Sequence, residues 1–249
     1  MNIFVCVSLV PDSTTKVKVA SDGKSLDENG VSFIINPYDE FAVEEAVQMQ
    51  EKGGSTTTVV SFGTDKAKEA IKKAFQMGVE NGVLIKTDSD SFDSYTAARN
   101  IADYLKDKNA DLILFGKQSI DYDGMVVPKM VAEMLNLPCV NVVVKMDIAD
   151  GKITAEREIE GGKEIVEASM PAVIGAQKGL NEPRYPNLKS IMAAKKKTIE
   201  EVSPTYSGNT YEILEMSLPP AKGEGKILSD GAGSVPELVK LLREEAKVI

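Results

Sequence analysis

Histidine is absent from this 249-residue chain. Its absence removes the commonest general base, along with Ser-His triads, Cys-His dyads and His-ligated metal sites. Cysteine is nearly absent too. Cys6 and Cys139 both sit in apolar, strand-like surroundings, so neither a disulfide framework nor a cysteine zinc site is expected, and buried reduced thiols are. No apolar run approaches the roughly 20 residues of a membrane span. Met1-Asn2 leads straight into Ile-Phe-Val-Cys-Val without a basic n-region, so no signal peptide is expected and the cytoplasm is the default compartment. Positive charge is in deficit, with a net charge of −9. That argues against nucleic acid as the main partner, the Lys195–Lys197 cluster being only locally basic.

What is present is enough apolar residue, 43% of the chain, for one large core, or one core plus an arm. The pattern predicts strands at Ile3–Val7, Thr57–Phe62, Val83–Lys86, Leu112–Phe115 and Cys139–Val144. Between them lie predicted helices at Tyr38–Lys52, Asp65–Met77, Ser94–Lys106 and Met125–Leu135. In the first helix Ala42, Val43, Ala46, Val47 and Met49 share one side, with Glu40, Glu44, Gln48 and Glu51 on the other. Pro37 stands before it and Gly53-Gly54 after it. Strands alternating with helices imply βαβ units and an α/β, doubly wound, mostly parallel, Rossmann-like sheet. Right-handed crossovers then line ligand sites along the strand C-termini.

After Lys145 the rhythm changes. Lys152–Glu158 and Lys163–Ser169 alternate around Gly161-Gly162, a small antiparallel hairpin, and Ala172–Gly175 is a short last strand. Asp22–Asn29 is a polar hairpin-like excursion. Residues 1–201 are expected to form one nucleotide-binding-like domain. From Val202 onward Pro and Gly recur, which predicts an extended C-terminal arm, 202–249, ending in a helix at Val235–Lys247 and tied down by another subunit.

Three segments carry candidate chemistry. Gly116-Lys117-Gln118-Ser119-Ile120-Asp121-Tyr122-Asp123-Gly124 follows a buried strand and opens a helix, where free amides favour a phosphate. The residues alone favour an ordinary loop capped by Asp121 or Asp123, whose carboxylates also work against a bound phosphate. Asn36-Pro37-Tyr38-Asp39 opens the first helix, with Asn36 and Asp39 as candidate caps. Asn181-Glu182-Pro183-Arg184-Tyr185-Pro186-Asn187 is held out of regular structure by its prolines. Leu188, Ile191 and Met192 then follow at helical spacing ahead of Lys195, Lys196 and Lys197. Spacing alone leaves two readings open, a half-buried helix with a solvated lysine end and an apolar plug displayed for a partner.

Leu-Asn-Glu-Pro-Arg-Tyr, then Leu188, then Ile-Met before a lysine run, resembles the signature of the electron-transfer flavoprotein beta subunit, and further matches run from the first strand to at least Lys197. The resemblance implies a non-catalytic electron-carrier subunit paired with an alpha subunit that holds FAD. It makes residues 181–197 a recognition loop. Leu188 would plug a pocket on flavoprotein dehydrogenases such as acyl-CoA dehydrogenases, with Asn181, Glu182, Pro183, Arg184, Tyr185, Ile191, Met192, Lys195 and Lys196 around it. Electrons would pass to a quinone-linked or other acceptor.

The same resemblance places Tyr38 beside the FAD ring of the alpha subunit. It makes Glu158, in Arg157-Glu158-Ile159-Glu160-Gly161-Gly162, a switch toward a mobile flavin domain. It also implies an AMP-type pocket at Cys6, Asn36, Phe62, Gly116, Gln118, Asp121, Asp123, Val126 and Val127, filled by a second FAD in electron-bifurcating members. The family's polar continuation of that loop is replaced by Met125-Val126-Val127-Pro128, and Phe62 stands where a smaller residue is common. AMP is therefore expected weakly, differently or not at all. Of the family's lysine-methylation positions, which fall at Ala193 and Lys196, only the second is a lysine. Alternatives are a nucleotide hydrolase, which lacks a Walker lysine motif, and a nucleotide-binding stress-type protein, which needs no 181–197 loop.

Overall fold

The computed structural model describes residues 1–221, 223 and 225–249. Its elements follow one another as β1 (Asn2–Cys6), β2 (Leu9–Pro11), β3 (Phe33–Ile35), α1 (Pro37–Glu51), β4 (Thr56–Gly63), α2 (Lys68–Met77), β5 (Asn81–Lys86) and α3 (Ser94–Leu105). Then come β6 (Leu112–Gly116), α4 (Val127–Leu135), β7 (Cys139–Ala149), β8 (Lys152–Ile159), β9 (Gly162–Ser169), β10 (Ala172–Ala176), α5 (Leu188–Ala194), β11 (Glu200–Val202) and α6 (Val235–Lys240). Nine strands form one sheet in the order β11-β5-β4-β1-β6-β10-β7-β8-β9. It is parallel from β11 to β7 and antiparallel from β7 to β9. The expected doubly wound α/β sheet is what forms.

Strand pleating explains the two-sided core. Ile3 and Val5 of β1 pack with Ala42, Val43, Val47, Ile71 and Phe75 of α1 and α2. Phe4 and Cys6, on the opposite face, pack with Ala98, Ile101, Ala102, Val131 and Ala132 of α3 and α4. Burying each such Leu, Ile or Phe contributes about 1.5–3 kcal/mol. The helix ends obey local rules. Asp93 caps α3 by accepting from the Thr96 amide, α2 stops at Gly78 with φ 128°, and α4 stops at left-handed Asn136.

The parallel and antiparallel halves meet at a kink. Val142 in β7 has φ 66°, and pairing on both flanks shifts register there, between Gly175 and Ala176 and between Val143 and Lys145. A β-branched residue in that region is strained by about 1–3 kcal/mol, as bulges that re-aim a strand often are. Beyond the kink the β8–β9 hairpin turns at Gly161, φ 80°, as its Gly-Gly pair predicts.

Several boundaries differ from expectation. The short antiparallel pair β2–β3 and the edge strand β11 were not anticipated. The second helix begins with a 3₁₀ turn at Asp65–Ala67, and the fourth starts at Val127 rather than Met125. The last helix ends at Lys240 and widens into a π turn over Leu241–Glu245. The Asp22–Asn29 excursion closes with a bridge between Val19 and Leu26.

Candidate functional site

The sheet's topological switch lies at β1, which has β4 on one side and β6 on the other. Ligands of such sheets bind at this crevice, outside the strand C-termini. There Asp39, in the first turn of α1, is 4% exposed. Its carboxylate accepts hydrogen bonds from the Ser8 amide (2.8 Å), the Ser8 hydroxyl (3.1 Å), Asn36 Nδ2 (2.8 Å) and the Gly116 amide (3.1 Å). One side chain thus ties the ends of β1 and β6 to the start of α1. Burial raises the Asp39 pKa and the four donors pull it back, leaving it at about 7. Burial, then the Asp39 charge, pushes the Cys6 thiol well up, so Cys6 is an inert core group.

Gly116 is required by this close approach. A Cβ there would lie 2.4 Å from Asp39 Oδ1 and 2.6 Å from the Tyr38 carbonyl carbon. Asn36 Nδ2 also donates to the Gln118 carbonyl at 2.9 Å, and Asn141 Nδ2 from β7 donates to the Lys117 carbonyl at 3.2 Å. Two asparagines therefore bracket the first residues of the loop. Both of their Oδ1 atoms are buried and without a hydrogen-bond partner. The expectation that Asn36 and Asp39 cap α1 fails, because Asn36 makes no capping bond and Asp39 turns inward.

The loop itself closes on itself. Ser119 pairs with Gly124, Asp121 accepts from the Ser119 hydroxyl (2.5 Å) and the Tyr122 amide (2.8 Å), and Asp123 accepts from Gln118 Nε2 (2.8 Å). Neither aspartate caps α4, whose N-cap is Val126 with no side-chain bond. Val126 is exposed, Val127 half-buried, and Pro128 brings no amide to the first turn. Lys117 Nζ lies 4.8 Å from the centre of the half-buried Tyr38 ring. Phe62 is buried edge-on against Phe92, centroids 4.7 Å apart, within the α3-side core.

Asn181 and Arg184 tie the loop to α1, and α5 beyond it packs on α2. Asn181 Nδ2 donates to the Phe41 carbonyl (3.0 Å) and Glu45 Oε2 (2.9 Å). Arg184 reaches both Glu44 and Glu51. Glu44 and Glu45, which the helical pattern puts toward solvent or its edge, are consequently buried at 3% and 7% exposure. Burial would raise Glu44, but Arg184 and Gln48 together hold it below the usual carboxylate range; burial raises Glu45 despite Asn181. These glutamates escaped the sequence reading, since only the distant loop makes them inward-facing.

Asn187 then caps α5 through a reciprocal bond pair with Ser190. Leu188, at the first helical position, is 77% exposed, with Tyr185 at 94% and Met192 at 51% beside it. Glu182 is exposed, while Pro183 and Ile191 are half-buried. The lysine run divides. Lys195 and Lys196 face solvent, whereas Lys197 donates to the Val79 carbonyl and lies 5.2 Å from the Phe75 ring centre, with burial lowering its pKa. Glu158, at the end of β8, is exposed and accepts from Gln177 Nε2 at 2.9 Å.

Among the described residues there is no group of three or more His, Cys, Asp or Glu placed to hold a metal. No helix among the described residues is long and apolar enough to cross a membrane. Residues 24–219 match the electron transfer flavoprotein domain family. An electron transfer flavoprotein subunit beta of Syntrophomonas wolfei is 42% identical over 250 residues, covering 100% of this chain and 98% of that protein. The Bacillus subtilis protein of the same name is 41% identical, and the mitochondrial one of Oryza sativa subsp. japonica 34%, each with both chains covered in full. With its signature loop, sheet and full-length relatives in agreement, the chain belongs to the electron transfer flavoprotein family as a beta subunit.

Proposed function

We propose that this chain is the non-catalytic half of a heterodimer, cradling the FAD domain of an alpha subunit and docking flavoprotein dehydrogenases through Leu188. The FAD supplies the electron-carrying chemistry; the residues of this chain hold, orient and shield. The observation that carries the reading is Leu188, a large apolar side chain 77% exposed on a helix whose entry is capped and whose preceding loop is clamped to α1. A solvated leucine on a rigid mount has no use for folding and suits a partner's pocket. Lys195 and Lys196 beside it would steer acidic partner surfaces.

Tyr38 would border the flavin, with Lys117 over its ring fixing its orientation. Glu158, bonded among the described residues to Gln177 and otherwise exposed, would pair with a swinging domain. Exposed ion pairs are worth about 0–1 kcal/mol, which suits a reversible contact. Residues 202–249 would pack on the alpha subunit, and the exposure of Leu214, Leu218 and Ile227 supports this. The AMP-type pocket fits by half. The buried unpaired Asn36 Oδ1 can accept from a base, but two exposed carboxylates and an apolar first turn of α4 are poor phosphate ligands.

The test is Leu188→Ala in the co-expressed heterodimer. Losing a buried leucine forfeits roughly 1.5–3 kcal/mol, so the KM for a reduced acyl-CoA dehydrogenase should rise about 10- to 150-fold while FAD content stays at one per heterodimer. Equal KM values for variant and parent would remove the anchor.

A further inference from the structure

Arg184 is the last firmly held residue before Leu188. Its Nε and Nη2 donate to the two carboxylate oxygens of Glu44 at 2.8 and 3.0 Å, and Nη1 and Nη2 to those of Glu51 at 2.5 and 3.0 Å. Its own amide donates to Glu44 at 3.1 Å. Glu44 is buried and belongs to the middle of α1, and Glu51 is the last residue of that helix. The guanidinium therefore bridges the two carboxylates, two turns apart on one rigid element. A lysine ammonium has no planar fork and cannot engage both at once in this way. From Arg184 the chain runs through exposed Tyr185 and half-buried Pro186 to Asn187, the cap of α5. Three residues lie between Arg184 and Leu188, so the Cα atoms of the two are at most about 14 Å apart.

We propose that Arg184 is a positioning residue for partner docking: its bridge across Glu44 and Glu51 fixes where Leu188 is displayed before any partner arrives. This rests on the docking reading above. The physical basis is pre-organisation. Apparent affinity is the intrinsic affinity scaled by the fraction of molecules already in the competent arrangement. Without the bridge, the stretch between Asn181 and α5, whose far end is held by buried Ala194 and by Lys197 on the Val79 carbonyl, would sample more arrangements, and ordering it on contact would subtract from the binding energy of the leucine.

The heterodimer containing FAD is assayed for reduction by a substrate-reduced acyl-CoA dehydrogenase, with hydrogen exchange measured over residues 181–194. For Arg184→Gln, KM should rise about three- to tenfold, as expected if the competent fraction falls to a third or a tenth, with kcat changing less than twofold and exchange accelerating in the loop. Arg184→Lys should recover only part of the KM. In the Leu188→Ala background the same substitution should add almost nothing, because a mount without its plug has nothing to present. If Arg184→Gln does not fold, Glu51→Gln, which removes the solvent-side half of the bridge, replaces it with a smaller rise and the same non-additivity. An unchanged KM for Arg184→Gln, or an increment that multiplies fully with Leu188→Ala, overturns the proposal. Should Leu188→Ala itself leave KM unchanged, the docking reading fails and this inference goes with it, an outcome distinct from the other two.

Discussion

Asp39 gives the clearest perturbation to reason from, because a single buried carboxylate holds Ser8, Asn36 and Gly116 together. Its pKa is about 7 in the folded chain, against about 3.9 in an unfolded one. The folded state therefore binds this proton more tightly, and the group's contribution to stability is fullest below about pH 4. It declines as pH rises through the window from about 4 to 7, and is flat above it. Three pH units correspond to about 4 kcal/mol, an upper figure for a group whose four donors also favour the charge. Carboxylates held low, such as Asp93 at about 2, act in the opposite direction at more acidic pH. The Asp39 term is isolated by comparing the parent with Asp39→Asn. The variant loses acceptor capacity for two of the four donors, at about 1–3 kcal/mol for each one left buried and unpaired. Thermal unfolding followed by circular dichroism at pH 5 to 8 should show the variant melting lower throughout. The gap should narrow by several degrees toward pH 8, since the parent alone loses the proton-linked term and each kcal/mol is worth about 2–4 °C at this size. A gap that stays constant or widens with pH would refute the assignment of a raised pKa to Asp39.

Two other perturbations follow from the contacts. Asn100, 1% exposed, accepts from the Thr205 and Tyr206 amides (2.8 and 3.1 Å) and donates to the Tyr206 carbonyl at 2.9 Å. Asn100→Ala should cost about 2–4 kcal/mol and release the start of the arm, read as new proteolytic cleavage near residues 205–210; an unchanged digestion pattern would count against this staple. Reversing Lys195 and Lys196 to Glu should slow association with an acidic dehydrogenase about tenfold at low salt and barely at 0.5 M salt, by stopped-flow, as steering charges do. A salt-independent deficit would assign them a contact role instead.

The long elements were legible because their signals are local. Short continuous apolar runs at Ile3–Cys6 and Leu112–Phe115, and glycine stops at Gly53 and Gly78, need no partner to be interpreted. What could not be read was set by distant partners. β2, β3 and β11 have three residues each, too short for periodicity, and exist because another strand lies alongside. Asp39 has the local signature of a first-turn capping residue, yet the amides it serves are those of Ser8 and Gly116, 31 and 77 positions away. Glu44 and Glu45 look like solvent-facing helix residues until Arg184 and Asn181, about 140 positions on, cover them. Lys197 looks like its two exposed neighbours and differs only because the Val79 carbonyl and the Phe75 ring are within its reach. The exposed Leu188 was legible as a candidate, but its spacing alone could not separate display from burial.

These long-range partners converge on one element. α1 holds the crevice at its first turn through Asp39, and the docking loop along its body through Glu44, Glu45 and Glu51. Twelve residues separate Asp39 from Glu51, about 18 Å of helix, and its inner face is locked into the sheet by Ala42, Val43, Ala46 and Val47, all at 0–1% exposure. On the proposed function, Tyr38 and Leu188 are thus referenced to the same rigid rod. A flavin domain that swings can then change its own position without altering the angle at which a docked dehydrogenase is held. On the same proposal the contact with the swinging domain falls to exposed Glu158, which accepts from Gln177. The geometry that must persist through turnover rests on buried carboxylates and a two-carboxylate arginine. A carrier that accepts electrons from one protein and passes them to another needs that division, because a loop soft enough to follow the flavin domain would lose its plug at each swing.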